Sequence, residues 1–216
     1  MDNFFKNKTL VISGGTRGIG RAIVEEFAQN GVNIAFTYNS NEELAIFISN
    51  AIISGRAVVG GYTKFMRLKP RGINNIFTAT VNAFVVGAQE AAKRMQKNGG
   101  GSIISISSTG NRVYIDNYSG HGTCKAAVEA MVRYAATELG EFNIRVNAVS
   151  GGPIETDALR AFVNYEEVRD KTAELSPLGR MGQPTDLAGA CLFICSDKAS
   201  WVTGHTFIVD GGTTFK

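Results

Sequence analysis

Leu10 to Gly20 reads Leu-Val-Ile-Ser-Gly-Gly-Thr-Arg-Gly-Ile-Gly, an apolar run that breaks into glycines at Gly14, Gly18 and Gly20. Missing side chains at that spacing let backbone N–H groups and a helix N-terminus approach a pyrophosphate, so the turn can cradle a dinucleotide. Ile23, Val24 and Phe27 follow at helical spacing, and Asn30-Gly31 supplies the stop. The next strand, Val32–Tyr38, runs into Tyr38-Asn39-Ser40 without the Asp or Glu that would hold a ribose 2′-OH. With Arg17 in the turn, a 2′-phosphate is welcome, which favours NADP(H) over NAD(H). The competing reading leaves Arg17 pointing into solvent.

These groups need elements to hold them. Ser102–Ser108 reads as a strand ending in hydroxyls, and strand C-terminal ends are where open α/β sheets bind ligands. A long helix over roughly Ile73–Lys97 precedes it, with Asn82 as its inward-looking polar residue. A second helix runs from about Tyr118 to Gly140. Arg145–Val149 is a further strand, opening into Ser150-Gly151-Gly152-Pro153-Ile154-Glu155-Thr156. A helix starts after Gln183-Pro184-Thr185-Asp186, and Thr206–Val209 is the last strand. The expected architecture is α/β, a doubly wound parallel sheet in one domain over 1–216.

One stretch does not fit. Ile46–Ala51 already reads as the third strand, with Ser49-Asn50-Ala51 at its polar C-terminal edge, leaving only Asn39–Ala45 for the crossover. A doubly wound sheet normally places helix, strand and helix there, ~40–60 residues. The return needs ~17–20 Å along the strands and ~10 Å sideways, against ~25 Å of reach, so the segment would be taut. We expect an internal deletion near 44–46. Beyond it, Ser54–Gly72 reads as a loop whose charges are Lys64, Arg67, Lys69 and Arg71. Either they are solvated or they receive an acidic carrier protein.

Composition narrows the partners. The 216 residues carry 22 Lys or Arg and 19 Asp or Glu, a net charge of +3 without blocks of one sign, which gives nucleic acid and membrane surfaces no support and favours small ligands. No apolar run approaches the ~20 residues of a membrane span, and the start lacks a signal-peptide pattern, so a cytoplasmic location is expected. Cys124, Cys191 and Cys195 are an odd number without a C-x-x-C pair, against a disulfide framework or zinc; Cys191 and Cys195 share a helix face at i, i+4 but among Leu192, Phe193 and Ile194 read as core, and His121 and His205 are isolated. No metal site is expected.

Taken together, these residues resemble the short-chain dehydrogenase/reductase family. Ser13-Gly14-Gly15-Thr16-Arg17-Gly18-Ile19-Gly20 is similar to its cofactor turn, Ser49-Asn50-Ala51 to its Asn-Asn-Ala-Gly strand end, and Arg145–Val149, Arg180-Met181-Gly182 and Val209-Asp210-Gly211-Gly212 to further signatures. The resemblance implies that Asn82, Ser108, Tyr118 and Lys125 are catalytic. It also implies cofactor contacts from Gly14, Thr16, Arg17, Gly18, Ile19, Gly20, Asn39, Ser40, Asn50, Ala51, Lys125, Gly152, Ile154 and Thr156.

Most members have Tyr-x-x-x-Lys, whereas the position four before Lys125 is His121, and Tyr118 gives Tyr-x6-Lys. That spacing, with Asp116-Asn117-Tyr118 and Gly151-Gly152-Pro153-Ile154-Glu155-Thr156-Asp157, resembles enoyl-acyl carrier protein reductases of the type III branch. On a helix, steps of four and seven share a face but lie ~6 and ~10.5 Å apart. The longer step suits an acid that meets a thioester oxygen two carbons beyond the carbon receiving hydride.

The implied function is NADPH-dependent reduction of a trans-2-enoyl thioester, on acyl carrier protein or coenzyme A, by a homotetramer or homodimer in fatty acid synthesis. The alternatives are a carbonyl reductase using Tyr118 or His121 as acid, and a nucleotide-binding or structural relative impaired by the deletion. For single residues the plainer readings also stand: a packing role for Tyr118, a surface position for Lys125, a strand end for Ser108, backbone satisfaction for Asn82.

Overall fold

The computed structural model describes residues 5–6, 8–37, 50–54, 62–160 and 164–215. Its centre is a six-stranded parallel sheet in the order β2-β1-β3-β4-β5-β6, formed by β1 (Thr9–Ser13), β2 (Asn33–Thr37), β3 (Asn50–Ser54), β4 (Gly101–Ser108), β5 (Ile144–Gly151) and β6 (Thr206–Val209). Central parallel strands are covered on both faces and read as continuous apolar or small-residue runs. β4 accordingly keeps Ser102 through Ser107 buried. The strand order reverses between β1 and β3, which opens a crevice at the C-terminal ends of those strands.

Helices cover the two faces. α1 (Gly18–Gln29) and α7 (Pro184–Cys195) bury Ile23, Phe27, Leu187 and Ile194 against Leu10, Ile12, Ile52 and Ile104. On the other face α2 (Pro70–Phe77), α3 (Ala83–Lys97) and α4 (Ser119–Leu139) bury Ile76, Phe84, Met95, Val128 and Val132 against Ala51, Ile53 and Ile103. The short α5 (Asp157–Arg160) and α6 (Tyr165–Leu175) follow β5. The sequence pattern over 157–175, without strong apolar periodicity, had pointed to neither.

The expected helix over Ile73–Lys97 is α2 and α3 joined by a π-helical turn at Thr78–Asn82. The extra residue of a π-turn rotates the side chains that follow it. Thr80 and Val81 are buried there while Asn82 is exposed, so Asn82 does not look inward as its spacing had suggested.

The third strand is also corrected. Asn50 opens β3 rather than closing it, pairing with Leu10 near the start of β1 and with Ser102 near the start of β4. Asn50 and Ala51 therefore lie at the N-terminal edge of the sheet, about 20 Å along the strands from Ser108. They are not at the cofactor edge, where Ser54 stands beside Ile106 instead. The physical reason for this register is that Ala51, Ile52 and Ile53 supply the two-sided apolar run a central strand needs, buried between β1 and β4. Asn39, Ser40 and the expected deletion point lie in 38–49, outside the described residues.

Candidate active site

The C-terminal edge of the sheet gathers the glycine turn, Ser108, the start of α4 and the loop after β5. In the turn, Gly14 and Gly18 adopt φ of 79° and 55°, which side-chain-bearing residues rarely do. A Cβ on Gly20 would stand 2.0 Å from the Gly14 carbonyl oxygen, so the first turn of α1 packs directly on the loop only because Gly20 has no side chain. Thr16 and Arg17 are exposed on the turn, and Ile19 is half-buried behind it. A glycine turn, a helix N-terminus and a cation fit a dinucleotide phosphate.

Across the crevice, the loop after β5 reaches the same place. The Thr156 methyl group lies 3.5 Å from where a Gly18 Cβ would be. Gly152 packs against Asp210 at the end of β6, and Ile154 is buried and bridged to Gly182. Glu155 anchors the loop: its carboxylate accepts hydrogen bonds from Gln183 Nε2 at 2.6 Å, Tyr165 Oη at 2.7 Å and Arg160 Nη2 at 3.0 Å. Those bonds, Gln183 first, hold its pKa down to about 2.

Tyr118 stands at the N-cap of α4, one residue outside the helix proper, and its carbonyl accepts the Gly122 N–H at 2.7 Å. Asn117 before it has φ 61°, the left-handed turn that Asn tolerates. The Tyr118 ring lies on Gly110, where a Cβ would meet ring carbons at 2.6 Å. Burial raises the phenol above its ordinary value, and the influence of Ser108 offsets part of that, so the phenol keeps its proton near pH 7. Ser108 also accepts the Gly110 N–H at 3.3 Å, shaping the loop under the ring.

Lys125 is half-buried two turns along α4, and its ammonium donates to the Ile106 carbonyl at 2.6 Å. Burial lowers its pKa to about 8. His121 is buried and stacks between Tyr62 and Tyr118, with ring centroids 4.6 and 5.4 Å away. Its Nε2 is buried and has no hydrogen-bond partner among the described residues, and burial, then the Lys125 charge, push its pKa below the ordinary value. A neutral imidazole in that setting is a poor acid.

Three residues were missed as contributors. Glu129, 5 % exposed, accepts from Ser107 Oγ at 2.7 Å and pairs with Arg112 at 3.1 Å, tying α4 to the end of β4 and to the loop after it. Tyr62 covers Tyr118 from the segment before α2. A carboxylate one turn after Lys125 on a mostly apolar face was the signal for Glu129; for Tyr62 and Arg112 the sequence offered none. Among the described residues no group of three His, Cys, Asp or Glu could hold a metal ion, and no helix is long and apolar enough to cross a membrane.

Comparison with known proteins bears on the family and the fold. A family model described as enoyl-(acyl carrier protein) reductase matches residues 42–214. The chain is 33 % identical to a 3alpha-hydroxysteroid dehydrogenase of Mediterraneibacter gnavus, covering 95 % of this chain and 96 % of that protein. It is 30 % identical to 1-cyclohexenylcarbonyl-CoA reductase of Streptomyces collinus, covering 96 % and 87 %. The solved structure of a 7 alpha-hydroxysteroid dehydrogenase complexed with NADH and 7-oxo glycochenodeoxycholic acid superposes with a TM-score of 0.83 at 28 % identity, covering 97 % of this chain and 95 % of that one. The two sequence alignments run over 243 and 245 positions against 216 residues here, so those relatives carry residues with no counterpart in this chain.

Proposed function

This chain belongs to the short-chain dehydrogenase/reductase family and is an oxidoreductase, and from that premise we propose that it reduces the double bond of a trans-2-enoyl thioester with NADPH. The observation that carries the reading is which side chain stands over the loop that Ser108 opens. It is Tyr118, whose ring lies on Gly110 seven residues before Lys125, while the position four before Lys125 holds a buried histidine stacked behind that ring.

The residues at the crevice fit a nicotinamide dinucleotide. Gly14, Gly18, Gly20 and the N-terminus of α1 would hold its pyrophosphate, Thr16 and Ile19 would flank it, Arg17 would take a 2′-phosphate, and Gly152, Ile154 and Thr156 would meet the nicotinamide end. When bound, the reduced nicotinamide supplies a hydride. Lys125 would bind ribose hydroxyls, and its charge favours Tyr118 as a donor. Tyr118 would donate a hydrogen bond to the thioester oxygen as negative charge develops there, worth ~10²–10³ in rate for such a donor. Ser108, which shapes the loop under the ring, would help to place the phenol. Asn82, exposed after the π-turn, would act only through the backbone it ends.

We assign the acyl group to an acyl carrier protein, the assembly to a homotetramer and the location to the cytoplasm. Exposed apolar side chains on α3 and α4, Val86, Met131 and Tyr134 among them, support pairing between copies. The second reading, carbonyl reduction, is favoured by the hydroxysteroid dehydrogenase relative. NADPH consumption with crotonyl and acetoacetyl thioesters in parallel separates the two. Turnover of the enoyl substrate alone supports the proposal, turnover of the ketone alone replaces it, and silence with no NADPH binding returns the chain to a structural relative.

A further inference from the structure

Beside Tyr118 lies a cavity of about 420 Å³, walled by Tyr118, Ser119, Gly110, Val113 and Ile115 on one side and by residues 63–67 on the other. The second wall is pinned to the start of α4: Thr63 N–H donates to the Asn117 carbonyl at 2.8 Å and Tyr62 lies over Tyr118. Its outward side has an unusual make-up. Lys64, Arg67, Lys69 and Arg71 are all exposed, and between the first two stand Phe65 and Met66, 76 % and 90 % exposed. Across residues 44–89 there are five Lys or Arg and no Asp or Glu, in a chain of net charge +3, so the remainder is slightly acidic. Asp116, between the lining residues Ile115 and Asn117, accepts from Tyr114 Oη and Asn117 Nδ2 at 2.9 Å each.

We propose that Lys64, Arg67, Lys69 and Arg71, with Phe65 and Met66 between them, form the docking surface for an acidic acyl carrier protein that presents its acyl chain to the cavity below. The inference rests on the enoyl-thioester reading for its chemistry. Charge complementarity selects an anionic partner. Large exposed apolar side chains interleaved with the cations select a protein surface over the phosphates of a coenzyme A handle, which would leave Phe65 and Met66 in water. A second copy of this chain is disfavoured on the same ground, because a twofold contact would set the cationic patch against itself.

The direct test is binding of a fluorescently labelled acidic holo-carrier protein, followed by anisotropy, to the full chain and to two charge-reversed forms, Lys64→Glu/Arg67→Glu and Lys69→Glu/Arg71→Glu. Binding to the native chain should weaken at least about tenfold in each variant, and likewise between about 50 and 500 mM salt. Undetectable carrier binding, or binding indifferent to these charges, would overturn the proposal. In turnover, the ratio of kcat/KM for crotonyl-carrier protein to that for the neutral crotonyl-N-acetylcysteamine thioester should fall about tenfold in the variants. An equal fall for both, or a fall confined to crotonyl-CoA, also overturns it. If no enoyl thioester turns over while charge-dependent carrier binding persists, the reductase reading fails and the docking surface stands. A shift in sedimentation of the variants with carrier affinity intact would reassign the patch to contact between copies.

Discussion

Tyr118 owes its position to its neighbours. Gly110 lies under its ring without a side chain, and His121 and Tyr62 wall it off. Tyr118→Phe keeps the ring and removes only the donor, so kcat should fall by about 10²-fold while NADPH affinity stays within a factor of about two. Steady-state kinetics beside fluorescence titration separates the two effects. At Lys125 the signs follow from its lowered pKa. The folded chain releases this proton through about pH 8 and the unfolded chain near 10.5. The cost of burying the charge is therefore present below about pH 8 and relieved as pH rises toward 10.5. On the proposed function the ammonium would also bind the ribose, and that contribution runs the other way. NADPH affinity should decline as pH rises through about 8, and Lys125→Arg, which does not titrate there, should flatten that decline.

At the scale of elements, two close approaches decide whether the site assembles. A methyl group on Gly20 would overlap the Gly14 carbonyl, so Gly20→Ala must push α1 off its turn. We expect a loss of about 2 kcal/mol or more in denaturant unfolding, with NADPH no longer raising the melting temperature. Gly110→Ala is the milder counterpart. Its φ is not in the left-handed region, so alanine brings no backbone strain, but the new methyl meets the Tyr118 ring at 2.6 Å. Turnover should drop about tenfold or more while the glycine turn still binds NADPH, as equilibrium titration would show. Glu129 acts between elements, since its carboxylate joins α4 to Ser107 and Arg112. Glu129→Gln leaves one of those donors facing an amide rather than a charge, and a loss of about 1–3 kcal/mol in stability is expected.

Across the whole molecule, a parallel sheet covered on both faces brings residues far apart in the chain to one edge. Gly18 and Thr156 are separated by most of the sequence and meet because β1 and β5 both end there. The exposed apolar side chains of α3 and α4 are the counterpart of that burial on the outside. Tyr134, 69 % exposed, is the largest of them on α4. If copies pair through these helices, Tyr134→Glu should convert the assembly to a smaller species in sedimentation velocity without changing the unfolding midpoint of the monomer.

What the sequence determined by itself was whatever depends on local pattern: the strand-turn-helix at Leu10–Phe27, the strands at β4, β5 and β6, and the Tyr118 to Lys125 spacing. Those signals are glycines at fixed steps, apolar periodicity and the offset between two side chains, all properties of short stretches. Only the tertiary structure decided the register of β3. Ile46–Ala51 reads as a strand with Asn50 and Ala51 at its C-terminal edge, and only their pairing with Leu10 and Val11 of β1 and with Ser102 and Ile103 of β4 shows that they stand at the other edge. The same holds for Asn82, which a regular helix would face inward and a π-turn turns out, and for Glu129, whose partners come from another element. Long-range packing chose among local alternatives of similar local free energy, and that choice moved Asn50 and Ala51 away from the edge where the remaining described candidates at the crevice gather.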